Sequence, residues 1–195
     1  WHHNANRMNS CNGWDLETGS TSVVVAICDT GVELNHEDLQ KHRMEGYNAV
    51  DKKWESAGGQ VNDINGHGTM TTGCAAAKGN NSKGVVGTGW RLSPRMMRVS
   101  NSSGGSSSIS TLTHAAQTAA LAGDRVASVS YSGGTSGSVS TTGDFLRTKG
   151  ALLIWAADNA GNNYKGNRDD GAIMVGATDS SDNRSSFSSY GNYID

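Results

Sequence analysis

The stretch VVVAICDTGVE, residues 23–33, indicates the fold, because a run of apolar and mostly β-branched residues ends there at the carboxylate of Asp29. Apolar residues on consecutive positions are typical of a strand that is buried on both faces of a sheet. A charged side chain at the end of such a strand is rarely buried unless another group pairs with it. The stretch therefore predicts a buried strand and a partner for Asp29 elsewhere in the chain.

Apolar runs of this kind alternate with helix-like segments along the chain. They predict strands at 23–28, 96–99, 126–131, 151–157 and 172–177, with helices at 67–78, 109–122 and 138–149. Alternating strands and helices favour right-handed crossovers between parallel strands. We therefore expect an α/β fold in which a mostly parallel sheet carries helices on both faces, and the length of 195 residues suits one domain.

The composition argues against several classes of partner. The formal net charge is −2 and no basic run occurs, so we expect no nucleic-acid partner. The longest apolar run, ALLIWAA at 151–157, is too short to span a bilayer, so we expect no membrane partner. The 3 cysteines lack C-x-x-C spacing, which argues against a zinc site or a disulfide framework and favours buried free thiols.

Polar groups follow several predicted strands at their carboxyl ends, which is where ligands bind to parallel sheets. Asp29 follows the strand at 23–28, SGG at 132–134 follows the strand at 126–131, and DNAGNN at 158–163 follows the strand at 151–157. We therefore expect a carboxylate, a flexible backbone segment and an amide side chain to meet at one edge of the sheet.

His67, in the segment NGHGTM, is the candidate partner of Asp29. A lone histidine is more often a surface or core residue than a catalytic one. Beside Asp29 it gains a role, because a carboxylate that accepts Nδ1–H fixes the imidazole tautomer and makes the ring a general base. Asn159 has two interpretations, as a turn residue or as an amide donor to the oxyanion of a tetrahedral intermediate.

Ordered segments along nearly the whole chain resemble the subtilases, the subtilisin-like serine peptidases. These segments are AICDTGVELNHEDL, NGHGTMTTGCAAA, VASVSYSGG, WAADNAG and VGATDSSDNRSSFSSYGNYID. The resemblance implies a subtilisin-like fold and a serine endopeptidase that hydrolyses peptide bonds through an Asp/His/Ser triad. It also implies that Asp29 orients His67, that His67 is the general base and that Asn159 stabilises the oxyanion.

The resemblance further implies a set of residues that bind a peptide or protein substrate. Ser103 and Gly104 resemble an edge that pairs with an extended peptide by β-augmentation. The pocket for the residue before the scissile bond would be flanked by Ser130, Tyr131, Ser132, Gly133, Gly134, Ala156, Ala157 and Asp158.

A structural calcium (Ca²⁺) site is also implied by the resemblance. Its ligands would be Asp38, Asn81 and backbone carbonyls in GNNSKGV, namely those of Gly79, Lys83 and Val85. The alternative is that Asp38 is a solvated loop acid. From the habits of the family we also expect a secreted, extracellular protein.

The sequence departs from the family in lacking the G-T-S-M-A motif that carries the nucleophilic serine, and the serines at 185–189 match a structural turn. We therefore expect residues 1–195 to be the N-terminal portion of a single catalytic domain, incomplete at its C-terminus and inactive alone. The opening WHHNANRM, without an initiator Met or a signal-peptide pattern, suggests a processed form or a fragment. The alternatives are a second polypeptide that supplies the serine, or an inert pseudoprotease that serves as a peptide-binding scaffold.

Two other features of the sequence complicate the resemblance. Asp158 stands where Gly is usual before the oxyanion Asn, and its charge beside the developing anion would weaken catalysis or favour basic substrate residues. The D-T-G at 29–31 is also the signature of aspartic peptidases, which need a pair of carboxylates sharing one proton. A single D-T-G would require a homodimer, and the alternation of strands and helices argues against that fold.

Overall fold

The computed structural model describes residues 3–39 and 42–195, which form a seven-stranded sheet with helices on both faces. In chain order the elements are α1 (Ser10–Leu16), β1 (Val24–Asp29), β2 (Tyr47–Asn48), β3 (Lys53–Trp54), a 3₁₀ turn (Glu55–Ala57), α2 (His67–Ala76), β4 (Ser93–Arg98), α3 (Ile109–Leu121), β5 (Val126–Val129), α4 (Gly137–Thr148), β6 (Leu152–Ala156) and β7 (Ala172–Val175). The strand order is β3-β2-β4-β1-β5-β6-β7, and every pair is parallel except β2 with β3.

The predicted α/β fold with a mostly parallel sheet is confirmed. All the predicted strands and helices are present, with ends that differ by a few residues from the predicted ones. The sequence pattern did not reveal α1, β2 and β3, because two-residue strands have no periodicity and the seven-residue α1 contains a glycine and few apolar residues.

Strand β1 lies at the centre of the sheet, between β4 and β5, and its side chains alternate between two cores. Ala26 and Cys28 belong to the core under α3 and α4, whereas Val25 and Ile27 belong to the core on the α2 side. This placement explains why the run is apolar at consecutive positions. Asp29 continues the alternation of Val25 and Ile27 and therefore lies on the α2 side.

Two of the helices, α3 and α4, begin after a serine that caps them. The hydroxyls of Ser108 and Ser136 cap α3 and α4 by accepting backbone N–H groups of the first turn. Helix α2 begins at His67 after Gly66, which has no capping side chain. Its first turn packs so closely on the end of β1 that a Cβ at position 68 would clash with the carbonyl oxygen of Gly31.

On the α2 side, the sheet is covered unevenly. Helix α2 packs on β1 and β4, while α3 and α4 pack on the opposite face. The large apolar residues of β5, β6 and β7 that point to the α2 side form an area that we term the open sheet face: Val126, Leu152, Ile154, Ile173 and Val175. Leu152 and Val175 are each 48% exposed, so the described part of the chain leaves this apolar area partly uncovered.

The cysteines differ in their burial. Cys28 is buried as expected, but the expectation is wrong for Cys11 and Cys74, which are exposed. Cys74 lies on the outer side of α2 and, with Met70 and Val85, lines an apolar cavity of about 380 Å³. Among the residues that the structure describes, no helix is long and apolar enough to cross a membrane.

Candidate active site

The structure brings Asp29 and His67 together at the carboxyl end of β1. Nδ1 of His67 lies 2.8 Å from Oδ1 and 3.0 Å from Oδ2 of Asp29. The carboxylate also accepts the N–H of Thr30 at 2.8 Å and the hydroxyl of Thr71 at 3.0 Å. Because a carboxylate only accepts, Nδ1 must carry the proton, and Nε2 is left with the lone pair that a general base needs.

Asp29 and His67 differ in their exposure to solvent, as general-base chemistry requires. Asp29 is fully buried, whereas the side chain of His67 is 46% exposed. The predicted partner that makes a buried carboxylate tolerable is therefore present. An Asp29 enclosed in this way offers no free oxygen to the carboxylate of a second copy, which argues against the aspartic-peptidase interpretation.

Asp63, which sequence reasoning missed, holds the start of α2. Its Oδ1 accepts the N–H groups of Asn65 and Gly66 at 3.0 and 2.9 Å, and its Oδ2 accepts the N–H and hydroxyl of Thr69 at 2.9 and 2.6 Å. Partial burial alone would raise the pKa of Asp63, but these hydrogen bonds outweigh burial and lower the pKa to about 2. The signal in the sequence was an acidic residue just ahead of a helix N-terminus.

Thr30 connects this cap to β1. Its hydroxyl donates to Oδ1 of Asp63 at 3.0 Å and accepts the N–H of Gly68 at 2.9 Å. The end of β1 and the first turn of α2 are therefore joined by side chains as well as by close backbone packing. This joint sets the distance between Asp29 and His67.

A small cavity beside His67 brings together parts of the predicted substrate edges. It measures about 180 Å³ and is lined by Thr30, Asn65, His67, Gly104, Gly105, Ser130 and Tyr131. The hydroxyl of Tyr131 donates to the carbonyl of Gly105 at 2.6 Å, and the amide of Asn65 donates to the carbonyl of Ser103 at 2.7 Å. The predicted edge at 103–104 is therefore bonded to the segment that holds His67, and the predicted edge at 130–134 is bonded to Gly105, next to the first edge.

Tyr131 remains a hydrogen-bond donor under all ordinary conditions. Burial, with the nearby negative charges of Asp29 and Asp63, raises its pKa to about 12. The phenol therefore keeps its proton and its bond to Gly105.

The remaining residues of the predicted pocket lie where β5 and β6 end. Ser132 is exposed, Gly133 has a φ of 94°, and a Cβ at Gly134 would clash with the side chain of Met174. At the end of β6, Ala156 pairs with Val175 and the N–H of Ala157 donates to the same residue at 2.9 Å.

Arg168, which sequence reasoning also missed, contacts Gly134, one of the predicted pocket residues. It pairs with Asp170, donates to the carbonyl of Gly134 at 3.4 Å, and lies 4.7 Å from the ring centroid of Tyr193. Its position on an irregular loop gave no signal in the sequence.

Asn159 lies beyond β6 with an exposed side chain, next to an anchored Asp158. The carboxylate of Asp158 accepts the hydroxyls of Ser189 and Tyr164, each at 2.5 Å, and the N–H of Ala160 at 3.0 Å. Burial alone would raise its pKa, but these donors outweigh burial and lower the pKa. Local hydroxyl and N–H donors therefore stabilise the negative charge that we expected beside the oxyanion.

Two residues of the implied calcium site, Asn81 and Val85, contact the buried carboxylate of Asp38. Asp38 is 1% exposed, so its interpretation as a solvated loop acid is wrong. Its Oδ1 accepts the amide N–H of Asn81 at 2.7 Å and its Oδ2 accepts the N–H of Val85 at 3.0 Å. The side chain of Lys83 forms an ion pair with Glu37 at 2.7 Å, whereas the expected ligand is its backbone carbonyl.

The donor types at this location suit a hard cation. The loop from Gly79 to Val86 lines a cavity of about 500 Å³, and no group of three or more His, Cys, Asp or Glu side chains in the described ranges is placed to bind a metal. A Ca²⁺ ion would therefore depend on Asp38, on backbone carbonyls, and on Asn81 with its amide turned to present oxygen. Turning the amide changes no volume but gives up the hydrogen bond that Oδ1 of Asn81 accepts from the N–H of Lys83 at 3.2 Å, so the residues fit the ion only with the loss of that bond.

Comparison with known proteins places these features in a family context. The model of the family described as "Subtilase family" matches residues 20–195. Thermitase from Thermoactinomyces vulgaris is 39% identical over 187 residues, which is 93% of this chain and 64% of thermitase. An extracellular serine proteinase from Thermus sp. (strain Rt41A) is 34% identical over 173 residues, which is 87% of this chain and 40% of that protein.

A solved structure agrees with the sequence matches. The crystal structure of a cold-adapted subtilisin-like serine proteinase aligns with a TM-score of 0.72 and 27% identity, covering 88% of this chain and 60% of the other. The chain thus spans between 40% and 64% of the length of these relatives.

Proposed function

This chain belongs to the subtilase family, and on that premise we propose that it supplies the Asp and His of a serine endopeptidase that hydrolyses peptide bonds. The observation that supports the proposal best is the contact between the buried Asp29 and the half-exposed His67. A carboxylate that fixes the tautomer of an accessible imidazole is the arrangement that activates a hydroxyl nucleophile.

In the proposed reaction His67 moves a proton in two steps. Its Nε2 takes the proton of the attacking serine and later gives that proton to the leaving amine. Asp29 stabilises the imidazolium that exists between the two steps. Asn159 donates its amide N–H to the oxyanion of the tetrahedral intermediate.

The substrate would bind as an extended peptide between the two edges. Backbone groups at Ser103 and Gly104 and at 130–134 would pair with it, and Ala156 to Asp158 would flank the residue before the scissile bond. The cavity beside His67, which is lined by Gly104, Ser130 and Tyr131, supports this mode of binding.

We further propose that residues 1–195 are the N-terminal portion of one catalytic domain, and that a later segment of the same polypeptide supplies the serine. Three features support this assignment: the greater length of the relatives, the open sheet face, and the apolar cavity on the outer side of α2. A segment that packs on this side of the sheet would lie on the same side as α2, whose first residue is His67.

The test of the function is a fluorophosphonate probe, which labels an activated serine, combined with hydrolysis of a casein substrate. The complete polypeptide containing this sequence should be labelled and active, and H67A should lose both properties. The matched control is H114A, because His114 contacts Tyr47 on the opposite side of the sheet, and this variant should keep both. Peptide binding without turnover would instead favour the inert scaffold, and inhibition by pepstatin at acidic pH the aspartic peptidase.

We also propose a structural Ca²⁺ ion at Asp38 and Asn81 and secretion of the protein. When bound, the ion would join the 79–85 loop to the segment of Asp38. The name of the extracellular relative from Thermus supports secretion.

The calcium proposal is tested by thermal unfolding with Ca²⁺ and with EDTA. Ca²⁺ at about 100 times its Kd should raise the midpoint by roughly 5–10 °C for a protein of this size. The D38N variant should lose this response, whereas D144N, on the exposed side of α4, should keep it. An equal midpoint with EDTA and with Ca²⁺ would contradict the proposal.

A further inference from the structure

Asp158 occupies a backbone conformation that non-glycine residues seldom adopt. Its φ is 69°, in the left-handed region, which a glycine would adopt without strain. A non-glycine residue persists there only when its surroundings hold it. The side chain of Asp158 is therefore the feature to explain.

The carboxylate of Asp158 closes a small ring around Asn159. One oxygen accepts the N–H of Ala160 at 3.0 Å, two residues further on, which is the hydrogen bond of an Asx-turn. Asn159 is the central residue of that turn, so the Asp158 side chain restricts the backbone angles of Asn159. These angles determine where the amide of Asn159 points.

The same carboxylate anchors the turn to a distant segment. Ser189 and Tyr164 both donate their hydroxyls to it. Two backbone groups add to this attachment. The N–H of Asn162 donates to the hydroxyl oxygen of Ser189 at 3.0 Å, and the N–H of Gly161 donates to the carbonyl of Phe187 at 2.8 Å. The loop that carries Asn159 is therefore fastened to the 185–190 segment at several points.

We propose that Asp158 is a positioning residue for Asn159, whose amide it aims by closing the Asx-turn and anchoring that turn to Tyr164 and Ser189. This inference rests on the proposed function, in which Asn159 stabilises the oxyanion. Positioning matters because an oxyanion donor contributes only when it lies at hydrogen-bond distance from the developing charge. A glycine at this position would relieve the strained backbone but leave Asn159 without this restraint.

The test compares kcat and KM of D158G and D158N in the complete polypeptide. D158G should lower kcat by about 10- to 100-fold with KM within about 2-fold, because a displaced donor affects the transition state more than substrate binding. D158N should recover most of the loss, since an Asn side-chain oxygen can also accept the N–H of Ala160.

The matched control is D182G, because Asp182 has a φ of 64° and pairs with Arg7. It makes the same exchange in the same backbone conformation, and it should leave kcat unchanged. In an N159A background, D158G should have no further effect on kcat, because the group that Asp158 positions is absent.

The outcomes separate the two proposals. An inactive wild-type polypeptide would overturn the proposed function together with this inference. If the wild type is active and D158G keeps its kcat, the positioning role alone is overturned. The same holds if D158G lowers kcat as much in the N159A background as in the wild type. An equal loss in D158G and D158N would also overturn it, since the Asx-turn would then have no part.

Discussion

Asp29 shows at the scale of one residue how burial creates chemistry. Its carboxylate is removed from water at the end of a central strand, and His67, Thr30 and Thr71 supply every hydrogen bond that it accepts in the described structure. Thr30 and Thr71 each donate to one oxygen of the carboxylate, and Nδ1 of His67 contacts both oxygens. The requirement to satisfy a buried charge and the requirement to orient a base are thus met by the same contacts.

At this scale we predict that D29N abolishes most activity while the fold is kept. An amide in place of the carboxylate no longer stabilises the imidazolium and favours the wrong tautomer of His67, so kcat should fall by about 10⁴-fold. The measurement is hydrolysis of a peptide substrate, with circular dichroism to verify folding. A D29N variant with near wild-type kcat would show that His67 acts without this partner.

Helix α2 shows how an element is fitted to its place. The helix follows Gly66, which has no capping side chain, and Asp63 supplies the missing acceptor from the preceding loop. Gly68 permits the first turn to approach Gly31, which a larger residue would prevent. The position of His67 therefore depends on residues that never touch a substrate.

The cap of α2 by Asp63 should make the free energy of unfolding depend on pH in the acidic range. The pKa of Asp63 is about 2 in the folded protein, below its ordinary value of 3.8, so the carboxylate stabilises the fold above about pH 4. This contribution should be lost as the pH falls from about 4 to 2, because protonation then removes the acceptor.

The corresponding variant is D63N, which should lower the free energy of unfolding by about 1–2 kcal/mol near neutral pH. Urea unfolding at a series of pH values measures the effect, and the gap between wild type and D63N should narrow towards pH 2. The control is D51N, since exposed Asp51 accepts a side-chain hydrogen bond from Asn101 at 3.0 Å and should change stability little. A gap that stays constant down to pH 2 would contradict the role of Asp63.

At the scale of the whole molecule, the sheet is covered more completely on one face than on the other. Trp155, Met174 and Leu153 are buried under α3 and α4, while Leu152 and Val175 on the α2 side are about half exposed. Contiguous exposed apolar surface of this kind marks a contact area. Together with the greater length of the relatives, this asymmetry agrees with a later segment of the polypeptide packing there.

We therefore predict that charges on the open sheet face destabilise the complete polypeptide. L152K and V175K should each lower the free energy of unfolding by about 1–3 kcal/mol, because each would bury an unpaired charge. The control is L121K, because Leu121 is 66% exposed at the end of α3 and should tolerate the change. Equal effects for the three variants in chemical unfolding would show that the face stays open.

Much of the fold and part of the site could be predicted from local patterns. The buried strands and the main helices follow from apolar runs and periodicity, since these report which side chains leave water. Asp29 and His67 could be named as partners because a buried acid needs one. The residues Asp63 and Arg168 were missed because their importance lies in contacts, and an acid or an arginine in a loop looks like any solvated charge.

Local residue patterns were enough to predict the alternation of strands and helices, the central buried strand and the chemical types of the candidate catalytic groups, because each depends on neighbouring residues. The approach of α2 to β1, the attachment of Asp158 to Ser189, the burial of Asp38 and the partly uncovered sheet could be seen only in the folded protein. These features join residues that are far apart in the chain. They depend on packing distances of a few ångström, which no local pattern of residues specifies.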